Sequence, residues 1–116
     1  MRKFESGATR DDCDQKYDYE GFLCPEVIEK FGAYMHANRV QADGNLRDSD
    51  NWQKGIPLDQ YQKSLWRHHH EMWKLHRRKK RYGVDAVSPQ DMYDAICGVM
   101  FNAMGYMHEL IKAEED

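Results

Sequence analysis

Four polar residues occur as two pairs with the same spacing, and together they suit a divalent cation bound to a phosphate. His68 and Glu71 form the first pair, and Asp91 and Asp94 form the second. On a helix, residues three positions apart lie on one side, so each pair can converge on a single ion or water. Carboxylate oxygens are preferred ligands of Mg²⁺, and a histidine beside an acid can bind a metal or accept a proton.

Each pair also has a simpler interpretation. His68 and Glu71 can form a local salt bridge on a helix surface. Ser88 is expected to cap the helix that carries the second pair, and Asp91 is then its third residue, where an acid completes a capping box. Asp94 is not explained by capping, although an acid near a helix start is favourable. The residues alone leave both interpretations open.

The three consecutive histidines of the segment SLWRHHHEMWKLH do not form one cluster, because successive helical residues are rotated by about 100°. His69 is expected to be a core histidine in the apolar stripe with Leu65 and Met72. His68 is expected on the flank of that stripe, and His70 in solvent. Of the three, only His68 then has an acidic neighbour suited to a functional site.

The aromatic and polar segment SDNWQKGIPLDQY could bind the rest of a nucleotide. Trp52 could stack on a base, Lys54 could bind a phosphate, and Asp50 or Asn51 could contact base edges. Trp52 could equally close the end of a helical bundle. The basic run at residues 77–81 is interpreted as a solvated loop between two helices, where it could also attract a phosphate-rich ligand.

Three helices are needed to position these residues, and apolar periodicity predicts them at residues 25–38, 57–76 and 89–113. Proline at the first position supports two of the three helix starts. Residues 1–24 show no helical or strand period and are expected to form an extended N-terminal arm. The predicted fold class is therefore all-α, a small bundle of about three main helices with its helical core at residues 25–113.

The third predicted helix has two different faces. Its apolar stripe is expected to pack on the other helices and consists of Met92, Ile96, Val99, Met100, Ala103, Met107 and Leu110. The second face is expected to point away from that stripe and continues from the two aspartates through Gly98, Asn102, Gly105 and Glu109. A glycine inside a helix costs about 1 kcal/mol relative to alanine, so another helix or a ligand should approach this face closely.

Length and composition limit the class of protein. The chain has 116 residues and a formal net charge of −3, which fits one domain and provides no strong case for nucleic-acid binding. Three cysteines without a C-x-x-C pair, and a polar start without an apolar signal core, favour a reduced, cytoplasmic protein. The longest mostly apolar run is too short for a membrane span of about 20 residues. Amphipathic helices would bury more apolar surface in a homo-oligomer, either a dimer or a tetramer.

Four segments, FESGATRD, DNWQKGIP, RHHHEMWKLHR and FNAMGYMHE, resemble the phage dATP/dGTP diphosphohydrolase N-terminal-type family, which is related to the MazG-like all-α nucleotide pyrophosphohydrolases. The likeness extends over nearly the whole chain. In the wider superfamily, an E-x-x-E pair and a later E-x-x-D pair bind magnesium, which activates water. By position, His68 and Glu71 resemble the first pair, and Asp91 and Asp94 resemble the second. A histidine and an aspartate thus replace two glutamates, which leaves three carboxylates and an imidazole.

The resemblance implies an oligomeric, phage-type enzyme of the host cytoplasm that converts a purine dNTP to dNMP and pyrophosphate. Mg²⁺ would be held by Glu71, Asp91 and Asp94, with His68 and Glu71 as the catalytic groups. The expected nucleotide-binding residues are Asn51, Trp52, Lys54, Arg67, Arg77 and Asn102.

Two other functions remain open at this point. The altered metal ligands and the basic run fit a non-catalytic protein that sequesters a nucleotide, such as a cyclic or modified signal of host antiviral defence. Alternatively, the glycine face of the third helix is only an oligomer interface of a structural or regulatory protein. The sequence therefore leaves open whether the protein is an enzyme.

Overall fold

The computed structural model describes residues 2–10 and 16–115 and confirms the all-α fold. Its helices are α1 (Tyr19–Phe22), α2 (Pro25–Ala37), α3 (Leu58–Tyr82) and α4 (Pro89–Glu115). One 3₁₀ turn (Asn51–Lys54) precedes α3 and a second (Val84–Ala86) follows it, and strands β1 (Arg2–Lys3) and β2 (Thr9–Arg10) form a short hairpin. Within the described residues, no helix is long and apolar enough to cross a membrane.

The N-terminal region contains more regular structure than an extended arm. Strand β1 pairs with β2 in antiparallel register, and Gly7 makes the turn with a φ of 89°, which favours glycine. Asp18 caps α1, because its carboxylate accepts a hydrogen bond from the Gly21 amide at 3.0 Å. Every residue at 3–10 and 16–24 is exposed. Residues 1 and 11–15 of the predicted arm lie outside the described residues.

The starts of α2, α3 and α4 agree with the predictions, whereas α1 falls in the predicted arm and the end of α3 differs. Ser88 caps α4 as expected, because its hydroxyl accepts a hydrogen bond from the Asp91 amide at 3.5 Å. Helix α3 continues past the predicted end at His76, so the basic run at 77–81 is helical and its interpretation as a loop is incorrect. Lysine and arginine are good helix formers, and the helix ends only before Gly83, whose φ of 101° favours glycine.

Helices α3 and α4 form an antiparallel pair that meets at two points where a glycine faces a ring. His68 lies on Gly98 and Tyr61 lies on Gly105, so closely that a Cβ atom at either glycine would overlap the ring. Tyr61 is only 2% exposed, and Asn102 is buried between the two glycines. The expectation that another element approaches these glycines closely is confirmed, and that element is α3.

The side of α4 that packs on α3 is the glycine face, whereas the apolar stripe was expected to pack on the other helices. This face points toward α3, whereas the C-terminal part of the expected apolar stripe is accessible, with Met107 62% exposed and Leu110 45% exposed. Glycine lets the two backbones approach, and the rings of α3 then cover the face. A pattern of apolar residues does not reveal this arrangement, because glycine contributes space rather than hydrophobic surface.

The same packing corrects the assignment of the histidines. His68, not His69, occupies the position between Leu65 and Met72 that faces α4. His69 is exposed and lies edge-on to Trp66, with 6.3 Å between the ring centroids. The spacing to Leu65 and Met72 allows either His68 or His69 to lie in the apolar stripe. The close contact with Gly98 of α4 shows that His68 lies there.

A small apolar core lies beyond His68, at the end of the helix pair near the second 3₁₀ turn. It consists of buried Leu75, Val87 and Ala95, with Met72 and Met92 packed against them. Helix α2 contacts α4 but has no buried residue of its own. The α3 and α4 pair therefore supplies most of the interior, and α2 covers one side of it.

Gly105→Ala is expected to lower the free energy of unfolding by about 1–3 kcal/mol, because the new methyl group would overlap the buried Tyr61 ring. Gly32→Ala is the matched control, since Gly32 is also helical and nothing lies within 4 Å of its Cβ position. Alanine at position 32 should leave the free energy of unfolding unchanged or raise it by up to about 1 kcal/mol. Urea unfolding followed by circular dichroism measures both changes, and equal stabilisation of the two variants would contradict the ring-on-glycine packing.

Candidate functional site

A cleft of about 500 Å³ lies between α2, the segment that follows it, α3 and α4. This volume is within the range of roughly 300–1,000 Å³ that is typical of small-molecule sites. Met35, Ile56 and Phe101 supply apolar surface, and polar side chains from each surrounding part of the chain line the rest. An apolar cleft with a few convergent polar groups is the usual form of a ligand site.

The segment between α2 and α3 folds back on itself and places two arginines on the cleft. Val40 and Leu46 form an isolated antiparallel bridge, and Gly44 makes the turn between them with a φ of 87°. The Arg47 amide donates to the Arg39 carbonyl at 2.8 Å, and the Arg39 Nε donates to the Arg47 carbonyl at 2.7 Å. In the described part of the chain, no carboxylate forms an ion pair with either guanidinium. Their positive charge is therefore available to an anion in the cleft.

Helix α4 anchors the first 3₁₀ turn through two charged side chains. The Glu109 carboxylate accepts a hydrogen bond from the Ile56 amide at 3.3 Å. Lys112 Nζ lies 3.4 Å from the Glu109 carboxylate and donates to the Gln53 carbonyl at 3.3 Å. The predicted small and polar face of α4 thus ends in an acid that positions the loop. Glu109 was not predicted to have this role.

Trp52 is held against α4 and lines the cleft at the same time. Its ring meets His108 and Phe101 edge-on, with 4.8 Å and 5.8 Å between the ring centroids. Asn51, its neighbour in the 3₁₀ turn, also lines the cleft. The two interpretations of Trp52, a plug at the bundle surface and a wall of a ligand site, are therefore compatible with each other.

The floor of the cleft contains polar groups from the contact between α3 and α4. Asn102 is only 4% exposed, and its side-chain amide donates to the Gly98 carbonyl at 2.7 Å. His68 lines the cleft beside it, and burial, followed by the charge of Arg67, lowers the pKa of His68 below its usual value of 6.5. The imidazole is therefore mainly neutral at neutral pH, so it can donate one hydrogen bond and accept another.

The structure divides the predicted nucleotide-binding residues into two groups. Three of them line the cleft, namely Asn51, Trp52 and Asn102. The other three are exposed and do not line it, namely Lys54, Arg67 and Arg77. Arg67 donates a hydrogen bond to the Ser64 hydroxyl at 2.8 Å, and the Arg77 guanidinium lies 5.4 Å from the Trp73 ring centroid.

The predicted metal ligands are not brought together. Glu71 is exposed and pairs with Lys74 at 3.7 Å, Asp91 is exposed in the first turn of α4, and Asp94 accepts a hydrogen bond from Gln90 at 2.9 Å. Among the residues described, no group of three or more His, Cys, Asp or Glu side chains could hold a metal ion. The three acids therefore do not fit a magnesium site within one copy of the chain. His68 points toward α4 while Glu71 lies in solvent, so the first pair does not converge.

Several cleft residues were not predicted individually. They are His36, Arg39, Arg47, Asp48 and Ser64. The only sequence signal for most of them was the long loop between two helices, because long ordered loops in small domains are often functional. Which loop side chains face the cleft depends on the bridge between Val40 and Leu46. The Asp43-Gly44 pair indicates its turn, but not which side chains it directs into the cleft.

A scan against protein-family models, a search of curated proteins and a search of solved structures each found no match to the chain.

Glu109→Ala is expected to release the 3₁₀ turn that carries Trp52, because the Ile56 amide loses its acceptor. The loss should be about 1–2 kcal/mol of unfolding free energy. Acrylamide quenching of Trp52 fluorescence, in a background with Trp66→Phe and Trp73→Phe, should increase. Glu114→Ala, an exposed acid on the same helix, is the control and should change neither quantity. Unchanged quenching in Glu109→Ala would contradict the anchoring role.

Acidification should destabilise the protein partly through His68. Its folded-state pKa is lowered from 6.5, so the unfolded chain takes up this proton at a higher pH than the folded chain. The free energy of unfolding therefore falls as the pH decreases below about 6.5 toward the folded-state pKa. In His68→Gln, the drop in melting temperature between about pH 7.5 and about pH 5.5 should be smaller than in the unaltered protein. His70→Gln, at an exposed position, is the control, and an equal drop in both variants would argue against a contribution from His68.

Proposed function

We propose that this chain is a nucleotide-binding protein whose ligand occupies the cleft between α2, α3 and α4. The observation that carries the proposal is the convergence of three distant motifs on one surface. Trp52 belongs to DNWQKGIP, His68 to RHHHEMWKLHR and Asn102 to FNAMGYMHE, and all three line the cleft. These are the motifs that resemble the phage nucleotide pyrophosphohydrolase family, so their convergence supports a nucleotide as the ligand.

The chemistry of the cleft walls supports a division of roles. Arg39 and Arg47 supply cationic donors for phosphate, since a guanidinium has five N–H groups and the contacts within the loop use only some of them. Trp52 supplies an aromatic surface for a base. Asn51 and Asn102 supply amide groups that can bond to the base edge or to the sugar. Together these groups match the parts of a nucleotide.

Binding without turnover is the outcome that the arrangement of acids favours. Asp48 is the one acidic side chain among the described residues that line the cleft. Glu71, Asp91 and Asp94 lie outside it and, among the described residues, belong to no group of three or more that could hold a metal ion. In this form the protein would sequester a nucleotide, such as a cyclic or modified signal, in the cytoplasm where such ligands are produced.

Pyrophosphohydrolysis of a purine dNTP is the second candidate, because the converging motifs are those of the resemblance. It would require carboxylates from elsewhere to reach the cleft. We propose a homo-oligomer as their source, since Glu71, Asp91 and Asp94 are all exposed. Large apolar side chains on α1, α2 and α4 are also exposed, including Phe22, Val27, Ile28, Met107 and Ile111. Their burial between copies of the chain would favour such an assembly.

Titration calorimetry with dATP, dGTP, dTTP and a cyclic dinucleotide, each with magnesium or with EDTA, tests binding in the cleft. Arg47→Ala should weaken binding by about tenfold or more, because a charge-assisted hydrogen bond to phosphate is lost. Lys63→Ala is the matched control, since Lys63 is an exposed cation of α3 outside the cleft. Absence of binding to every nucleotide, or equal affinity in both variants, would rule out the cleft as the site.

A parallel assay separates the two candidate functions. Metal-independent binding without pyrophosphate release supports sequestration. Release of pyrophosphate from a purine dNTP with magnesium, and its loss in Glu71→Ala, supports the hydrolase. In that case the exposed acids must reach the cleft of another copy in a homo-oligomer. Sedimentation velocity of the same samples measures whether that assembly exists.

A further inference from the structure

The C-terminal half of α3 carries a concentration of positive charge that the cleft does not use. Six of the 17 lysine and arginine residues of the chain fall between positions 74 and 81, and no acid occurs between Glu71 and Asp85. The chain as a whole has a formal net charge of −3, so this segment is positive against a negative background. Charge of one sign gathered in two helical turns creates a local field that attracts polyanions.

The continuation of α3 to Tyr82 aligns these cations on one side. We define the basic face as Trp73, Lys74, Arg77, Arg78, Arg81 and Tyr82, which surround one surface depression and are all exposed. At about 100° per residue, Trp73, Lys74, Arg77 and Arg81 lie opposite Met72 and Leu75, which pack toward α4. Arg78 lies on the flank, and Tyr82, seven residues after Leu75, lies at the edge nearest α4. Most cations of the basic face and Trp73 therefore point away from the helix pair.

Two exposed aromatic rings belong to the same face. Trp73 is 49% exposed, and the Arg77 guanidinium lies 5.4 Å from its ring centroid. Tyr82 is 69% exposed, and the Arg81 guanidinium lies 6.0 Å from its ring centroid. Nine residues of helix separate Trp73 from Tyr82 by about 14 Å along the axis and by about half a turn around it, so the two rings border the shared depression from different sides. Each ring thus has a cation beside it and an accessible surface.

Little of this positive charge is neutralised within the chain. In the part that the structure describes, the only ion pair on the face joins Lys74 to Glu71 at 3.7 Å, and both side chains are more than half exposed. Exposed pairs of this kind are weak. The four arginine and lysine side chains of the basic face are therefore available to a partner that carries several negative charges.

We propose that the basic face binds single-stranded nucleic acid. The arginines contact phosphates, while bases stack on Trp73 and Tyr82, which combines the two interactions that non-sequence-specific single-strand binding requires. An acidic protein would use the cations but would leave both accessible rings without a matching group. This surface is independent of the nucleotide cleft and adds a second ligand to the proposed function.

The probe is a fluorescein-labelled oligodeoxythymidine of about 15 nucleotides, titrated by fluorescence anisotropy at low and moderate salt. Binding should weaken steeply as salt increases, because phosphate contacts release counterions. Arg77→Gln with Arg81→Gln should lower affinity by about tenfold or more. Lys16→Gln with Lys63→Gln removes the same charge from exposed positions outside the face and should have a much smaller effect.

Trp73→Ala separates base stacking from attraction to any polyanion. It should weaken oligonucleotide binding by about fivefold or more, while heparin, which has charge but no bases, should bind as before. The cleft variant Arg47→Ala should leave oligonucleotide binding unchanged. The proposal is overturned if the oligonucleotide does not bind, if Trp73→Ala affects oligonucleotide and heparin equally, or if Arg47→Ala abolishes oligonucleotide binding. The second result would instead indicate an acidic partner without bases.

Discussion

The contact between α3 and α4 at Gly98 and Gly105 holds the helix pair together and thereby positions the other elements. The rings of His68 and Tyr61 occupy the space that a Cβ atom would need at these two positions. Every neighbouring position on that side of α4 carries a side chain, so a shift of one helical turn would set the rings against occupied space. The two glycines thus determine the register of the helix pair. That register determines where along α4 the Glu109 carboxylate contacts the loop and where along the two helices the cleft lies.

The same contact includes a polar group that is not satisfied. The Tyr61 hydroxyl is buried and has no hydrogen-bond partner among the described residues. Burial, followed by the nearby Glu109 carboxylate, raises the pKa of Tyr61, so the phenol remains neutral. A buried hydroxyl without a partner costs about 1–3 kcal/mol. The packing of the Tyr61 ring against Gly105 must offset this cost, so close packing at this contact contributes to the stability of the helix pair.

Helix α3 serves two surfaces that differ in chemistry. One side carries Tyr61, His68 and Leu75, which pack on α4, and the opposite side carries exposed cations and Trp73. The cleft uses the first side, through Ser64 and His68, and depends on the arginines of the loop for its charge. Separation of the two sides by the thickness of a helix allows one small domain to carry two positively charged surfaces without direct interference between them.

The sequence predicted the helical elements well because their signals are local. Ser88 and the proline that follows it mark the start of α4, and apolar spacing marks α2 and most of α3. The cost of two glycines inside a helix also predicted a close approach, and α3 makes that approach. The sequence prediction ends α3 too early, because it assigns a run of lysine and arginine to a solvated loop. Those residue types are helix formers, and only Gly83 ends the helix.

Local signals in the sequence were enough to predict the all-α fold class and the starts of α2, α3 and α4. The tertiary structure alone decided which of the candidate site residues meet. The spacing around Leu65 allowed either His68 or His69 to face the interior, and Gly98 selected His68. Asn51, Trp52 and Asn102 were brought to one cleft, whereas Glu71, Asp91 and Asp94 are exposed outside it. Apolar periodicity identifies the buried side of a helix only to within about one residue. Which residue is buried then depends on packing against the partner helix.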